Sequence, residues 1–340
     1  MENEVITLKS GKVNEYLHHI DIKAYQSRRM LSVFLAEFED CSILLDCGSS
    51  LDTKKVLRYF KSKDISLSSF KYLITSHHHF DHNGGLWKLY AELKEYNPDI
   101  KILTNNLTKI LLNDFEHHLN RGRSTYGNLV GEMKPIDNSA FKVIRPSSNF
   151  NPNPEKLDVI DKFNINGSEI KLVILESPGH TPDHQTPLFI KDNSIDFIFL
   201  GEAAGTIYHE TKLLTMPTSM PIYYNHDDYM RTLNKFRQLN PSMAGFGHFG
   251  LVNGRNNVQE ILTEHEVFMQ NFKTLIVKYY YENPKTNYVL NKILPELLPR
   301  TDLSIKSNPL FTNIALGIVY GMLISLGFRS IPDEEMKYVK

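Results

Sequence analysis

SHHHFDHNGG, residues 76–85, gathers His77, His78 and His79, the carboxylate of Asp81 and a further imidazole at His82 into one short run. Imidazole nitrogen and carboxylate oxygen are the donors that suit zinc, iron and manganese. The run follows FKYLIT, residues 70–75, an apolar segment that reads as a buried strand. Alternate residues of an extended chain point the same way, so His77 and His79 can share one ion while His78 and Phe80 turn away toward packing or surface. Asp81 and His82 come where the strand has ended and Gly84-Gly85 begins a turn, and the glycines let the backbone swing them toward a neighbouring ion. The pattern reads as a metal site, and two ions fit it better than one. A solvated polar loop is the competing reading, and ligand types stacked at a strand end argue against it.

Upstream, EYLHHIDIKAYQ (15–26), MLSVFLAEFED (30–40) and SILLDCGSS (42–50) alternate as antiparallel strands do. Asp52 can then cap a helix through TKKVLRYFKSK (53–63), which leads into the strand before the histidines. Downstream, LWKLYAELKEY (86–96) reads as a helix, KILTN (101–105) as a strand and NLTKILLNDFEHH (106–118) as another helix. Residues 119–153 are irregular and carry Arg121, Arg123 and Tyr126, which predicts a long loop over the site. Strands resume at DKFNING (161–167) and EIKLVILES (169–177), joined at Asn166-Gly167. PGHTPDH (178–184), the strand end DFIFLGEAAG (196–205), a helix in DDYMRTLNKFRQLNP (227–241) and a last strand end MAGFGHFG (243–250) follow. Beyond Gly254 helical patterns dominate, with Pro284, Pro295 and Pro299 as breaks. The expected organisation is a principal domain over 1–254 and a helical region over 255–340, serving as a lid or for dimerisation.

A chain of 340 residues, 41% hydrophobic, can bury a large core. Its formal charge of -1 supplies no global basic field, which disfavours a nucleic-acid partner and favours a small-molecule substrate. Cys41 and Cys47 flank an extended CSILLDC, and a bridge across it would have to span roughly 20 Å at about 3.3 Å per residue. Reduced thiols and a cytoplasmic setting are expected. The N-terminal MENEVITLKSGK has no apolar run behind a basic start, so no signal peptide is read. Residues 310–328 carry no charge and place Gly317 and Gly321 in GxxxG spacing, long enough to span a bilayer. Thr312, Asn313, Ser325 and three glycines favour a buried or dimer-interface helix instead, so a homodimer and no membrane partner are expected.

Candidate ligands thus stand after five apolar strands: Asp46, the His77 group, His180, Glu202 and His248. HHHFDH, followed in order by PGHTPDH, LGEAAG and GFGHFG, resembles the HxHxDH signature and later motifs of the metallo-β-lactamase superfamily, over about residues 1–254. The resemblance implies an α/β, four-layer αβ/βα sandwich with a C-terminal helical region and a dinuclear site at one edge. It implies that His77, His79 and His180 hold one divalent ion and Asp81, His82 and His248 the other, zinc first, with iron or manganese admissible. Asp46 resembles the family's early aspartate, which orients ligands, and His184 reads as a supporting group. Glu202 departs from the family's bridging aspartate by one methylene, which leaves bridging, one-ended binding or altered metal spacing open.

The resemblance further implies a hydrolase in which a metal-bridging hydroxide attacks a small carboxylic ester, lactone or thioester, with Asp81 orienting it or relaying its proton. A phosphodiesterase or nuclease of the same superfamily is the alternative, although only 22 residues separate His180 from Glu202 and no basic arm is present. A non-hydrolytic sensor or partner-binding protein is the third reading. His117, His118, Arg121, Arg123, Tyr126, Tyr208 and His209 are expected to border the pocket or to be ordinary surface groups.

Overall fold

Ile43, Leu44 and Leu45 show how the architecture arises. In the computed structural model, which describes residues 4–303 and 310–331, Leu44 joins a core shared with helices. Ile43 and Leu45, on the other side of the strand, join a second core. The two-residue period of a strand has sorted them onto opposite faces.

The second core lies between two seven-stranded sheets. One runs in the order Gly11–Lys12, Leu17–Asp21, Ser32–Glu37, Ser42–Leu45, Phe70–Ile74, Lys101–Asn105 and Phe141–Ile144. Its first four strands pair antiparallel and the rest parallel. The other runs Ile6–Thr7, Leu251–Asn253, Met243–Phe246, Ser194–Gly201, Gln185–Lys191, Ser168–Glu176 and Val159–Ile165. Phe34 of the first sheet meets Phe197 and Phe199 of the second, with ring centroids 5.2 and 5.3 Å apart. Helices cover the outer faces. Val56, Phe60, Leu89 and Leu93 pack from helices Thr53–Ser62 and Leu86–Lys94, and Leu233, Phe236 and Ile261 from His226–Leu239 and Arg255–Glu282. This is the αβ/βα sandwich expected from the motifs, with helices at its C-terminal end.

Residues 119–153 are not one irregular loop. Glu116–Tyr126 is a helix over the site, Gly127–Val130 a 3-10 turn, and Phe141–Ile144 an edge strand on Lys101–Asn105. The single helix expected over 106–118 is two, Asn106–Asn113 and Glu116–Tyr126, broken where Asp114 takes φ -97 and ψ 55. Pro295 does not end its helix, which runs Thr286–Leu297. Proline there has no N–H to give the Asn291 carbonyl, and the helix ends two residues later rather than at the proline.

Leu310–Ser325 is one apolar helix, and no described helix is long and apolar enough to cross a membrane. Its GxxxG face packs within the chain. A Cβ on Gly321 would stand 2.0 Å from the Ser219 carbonyl oxygen, and Ser219 Oγ donates to Ile318 O at 2.8 Å. The Gly321 side of this helix is therefore covered by the chain's own loop at Ser219, Met220 and Pro221. Cys41 and Cys47 are free thiols, as expected, and burial pushes Cys41 up to about 11.

Candidate metal centre

Asp46 takes a left-handed conformation, φ 58, directly after Ser42–Leu45 and turns its carboxylate under the histidine run. It is buried and accepts from Ser76 N and Ser76 Oγ, both at 2.6 Å, from Asn83 Nδ2 at 2.7 Å and from His82 Nδ1 at 3.1 Å. Ser76 Oγ, its proton committed to Asp46, accepts from His77 Nδ1 at 2.9 Å. His180 Nδ1 donates to Thr218 O at 2.7 Å, and His248 Nδ1 donates to Met30 O. These acceptors put a proton on Nδ1 of all four rings and turn each Nε2 inward, where its lone pair is free once the ring is neutral.

The inward atoms form two groups. His77, His79, His180 and Glu202 place one ligand atom each within 4.8 Å of one another, and so do Asp81, His82 and His248. Glu202 Oε2 lies 2.9 Å from His180 Nε2, 3.5 Å from His77 Nε2 and 3.3 Å from His82 Nε2, while Oε1 lies 3.6 Å from His248 Nε2. Its carboxylate therefore faces both groups. Asp81 Oδ2 stands 3.8 Å from Nε2 of both His82 and His248, and its side chain is 17% exposed where His77, His82 and His180 are sealed. Asp81 and His82 sit on a short helix, Phe80–Asn83, rather than in an extended turn. Gly247 permits the close pack behind them, since a Cβ there would meet His82 Cε1 at 2.6 Å.

His77 Nε2 and His82 Nε2 are buried with no hydrogen-bond partner. Such atoms cost free energy unless something occupies the space they face. Five imidazole nitrogens and two carboxylates around that space are a donor set for divalent ions, and the residues fit such a pair. Electrostatics sharpen the point. Burial, then the neighbouring His82 and His79, hold His77 well below the usual imidazole range. Burial also works against a charged His82, yet Asp81, Asp46 and Glu202 outweigh it and hold His82 well above that range. Burial would raise Glu202, and the surrounding imidazoles, His180 foremost, keep it well below the usual carboxylate range.

The supporting groups divide less predictably. His184 lies behind the ligands, its Nδ1 2.7 Å from Ser177 Oγ and its ring stacked 5.1 Å from His77. His78 is fully buried rather than at the surface. Its backbone N and Nδ1 donate to the two oxygens of Asp183 at 3.0 and 2.9 Å, and Thr108 Oγ1 donates to the same carboxylate at 2.9 Å. That link fastens the histidine run to the second sheet across 105 residues, and the sequence reading did not single out Asp183. Of the expected rim residues, His118, Arg121, Tyr126 and Tyr208 line the cavity over the site. Arg123 bonds Gly131 O outside it, and His209 accepts from Thr211 N and Lys212 N. Met30, Phe80 and Ile318 line the cavity and were not anticipated.

Residues 28–248 match the family described as the metallo-beta-lactamase superfamily, and the chain belongs to it. It is 24% identical over 260 residues to the metallo-beta-lactamase fold-containing protein ST1585 of Sulfurisphaera tokodaii, covering 74% of this chain and 86% of that protein. The crystal structure of ST1585 superposes with a TM-score of 0.59 at 19% identity, over 91% of this chain and 98% of that one. The family protein TTHA1429 of Thermus thermophilus superposes at 0.57 and 14% identity, over 92% of each chain. The probable metallo-hydrolase YqjP of Bacillus subtilis is 23% identical over 219 residues, covering 62% of this chain and 64% of that protein.

Proposed function

We propose that this superfamily member is a dinuclear metal-dependent hydrolase of small carboxylic esters, lactones or thioesters. The observation that carries the reading is Glu202, one carboxylate placed between two histidine groups with an oxygen toward each. His77, His79 and His180 would hold one ion, Asp81, His82 and His248 the other, and Glu202 would reach both. Bound there, divalent ions, zinc by our assignment, would polarise a carbonyl and make water a nucleophile near neutral pH.

The chain's own groups supply the rest. Asp46, Thr218 O and Met30 O lock the tautomers that aim lone pairs inward. Asp81, open to the cavity, would orient the attacking water and take its proton. The cavity beyond is walled by Met30, Phe80, Tyr126, Tyr208 and Ile318, which sheds bulk water from the reacting group. Arg121 is the one lysine or arginine among its described lining residues. Two bound ions would themselves meet the charge of a phosphodiester, so the preference for an acyl centre rests on the apolar wall of the cavity. The reduced thiols support a cytoplasmic setting.

Elemental analysis together with thioester, lactone and bis-nitrophenyl phosphate substrates, each run beside Asp81→Ala, tests the proposal. Two metal equivalents and acyl hydrolysis lost in the variant are expected. Preferential phosphodiester cleavage would favour the nuclease branch. Metal-loaded protein inert toward all three would leave a sensor role.

A further inference from the structure

We propose that the substrate carries a compact apolar acyl group, about the size of a phenyl ring or a hexanoyl chain, and that Gly317 sets the depth of the subsite that receives it. The inference rests on the hydrolase reading and names the substrate class for the same site.

The cavity over the ligand cluster measures about 140 Å³, close to the volume at which an apolar protein cavity accepts benzene. Its floor is His79, Asp81, Glu202 and His248, so a group lodged in it lies against the reacting centre. Phe80 and Tyr126 form one wall, and Met220 and Ile318 stand among the residues of another. An acyl chain lying against these side chains would leave water for an apolar surface.

The C-terminal helix closes this space. Asn313, Ile314, Gly317 and Ile318 face the cavity from Leu310–Ser325, and the Ser219 bond to Ile318 O and the close approach at Gly321 seat the helix firmly. At Gly317 a Cβ would fall 2.8 Å from Met220 Cε and 3.2 Å from Met220 Sδ. Any side chain at 317 must therefore displace the end of Met220, which itself lines the cavity. Glycine at that position keeps the subsite at its present depth.

Outside the helix a larger groove, about 590 Å³, shares Arg121, Thr125, Asn313 and Gly317 and adds Ser124, Thr286 and Asn287. Ser124, Thr286 and Asn287 offer hydroxyls and an amide there beside the apolar Pro221, Leu316 and Tyr320. The two spaces suit a substrate with an apolar acyl end and an alcohol or thiol end of mixed polarity, with the scissile carbonyl over Glu202 and Asp81. Hydrolysis would add water across the acyl bond, leaving the acid in the inner subsite and the protonated alcohol or thiol in the groove.

The experiment measures kcat/KM of the metal-loaded, full-length protein for thioesters with acetyl, butyryl, hexanoyl, phenylacetyl and decanoyl groups. Titration with acetate, hexanoate and phenylacetate follows binding alone. Each buried methylene should raise kcat/KM about four-fold, giving roughly 200-fold from acetyl to hexanoyl and a fall at decanoyl. Gly317→Ala, which favours helix, should cut the hexanoyl-to-acetyl ratio by about four-fold or more. Met220→Ala should move the optimum to a longer chain.

Equal kcat/KM from acetyl to decanoyl, with both variants unchanged, would overturn the subsite while leaving the hydrolase reading in place. Hexanoate and phenylacetate binding at least ten-fold tighter than acetate, weakened by Gly317→Ala, with no thioester cleaved, would uphold the subsite and sink the hydrolase.

Discussion

Asp46→Asn removes one charge and almost no volume, and its consequence can be worked atom by atom. Oδ1 accepts from Ser76 N and Asn83 Nδ2, so the amide oxygen must stay on that side. The new NH2 group then takes the place of Oδ2 and faces His82 Nδ1. Two donors cannot share that contact, so His82 must carry its proton on Nε2 and turn an N–H into the ligand space. Ser76 Oγ loses Oδ2 as its acceptor as well, and it keeps accepting from His77 Nδ1 through its other lone pair only with its own proton turned away, so the first group is disturbed less directly than His82. The lost interaction is a hydrogen bond to a charged group, worth about 1.5–3 kcal/mol, or about 10–150-fold in affinity. That range overlaps the roughly 10–100-fold usual for partners that orient metal ligands. Competition against a chromophoric chelator should therefore show the ion at the His82 group weakened by at least ten-fold and the other weakened by less. Circular dichroism melts would verify that the fold persists. Two ions bound as tightly as in the native chain, or both weakened alike, would refute the tautomer argument.

Three further outcomes follow from the same geometry. Binding of the ions should release a proton from His82, held above the usual imidazole range by Asp81, Asp46 and Glu202 against the pull of burial. Affinity should then rise by up to about ten-fold per pH unit through neutrality, and titration calorimetry in buffers of different ionisation enthalpy reads the proton count. His265 bonds Thr215 Oγ1 at 2.6 Å and Tyr229 Oη at 2.7 Å, and burial, with Arg300, pushes it down to about 3. Its neutral form is the folded form, so the unfolded chain gains the proton first as pH falls below about 6.5. Between pH 7 and 5 this should remove about 2 kcal/mol of stability, and urea melts of His265→Gln should lack that increment. Gly321→Ala should cost about 1–3 kcal/mol by overpacking, because the added Cβ meets backbone at Ser219 rather than a movable side chain, and a thermal melt checks it.

Much of this was legible because the ligand residues announce themselves locally. His77, His180, Glu202 and His248 each follow an apolar strand by a few residues, and strand ends on a rigid sheet are where such groups can converge. The helix Glu116–Tyr126 was not legible. Its sequence, EHHLNRGRSTY, buries only Leu119 and Gly122, and Gly122 is there because the Phe80 ring lies 3.0 Å from where its Cβ would be. Packing, not propensity, makes that helix. The Asp183 link to His78 was equally hidden, since it depends on how two sheets face each other across 105 residues. The GxxxG spacing at Gly317 and Gly321 was visible, but its partner, the loop carrying Ser219 and Met220, was not.

Anomalous diffraction from crystals of the metal-loaded protein tests the central claim most directly. The account predicts two peaks per chain, one ligated by His77, His79 and His180, the other by Asp81, His82 and His248, with Glu202 in contact with both. No ion, a single ion, or ions elsewhere would contradict it.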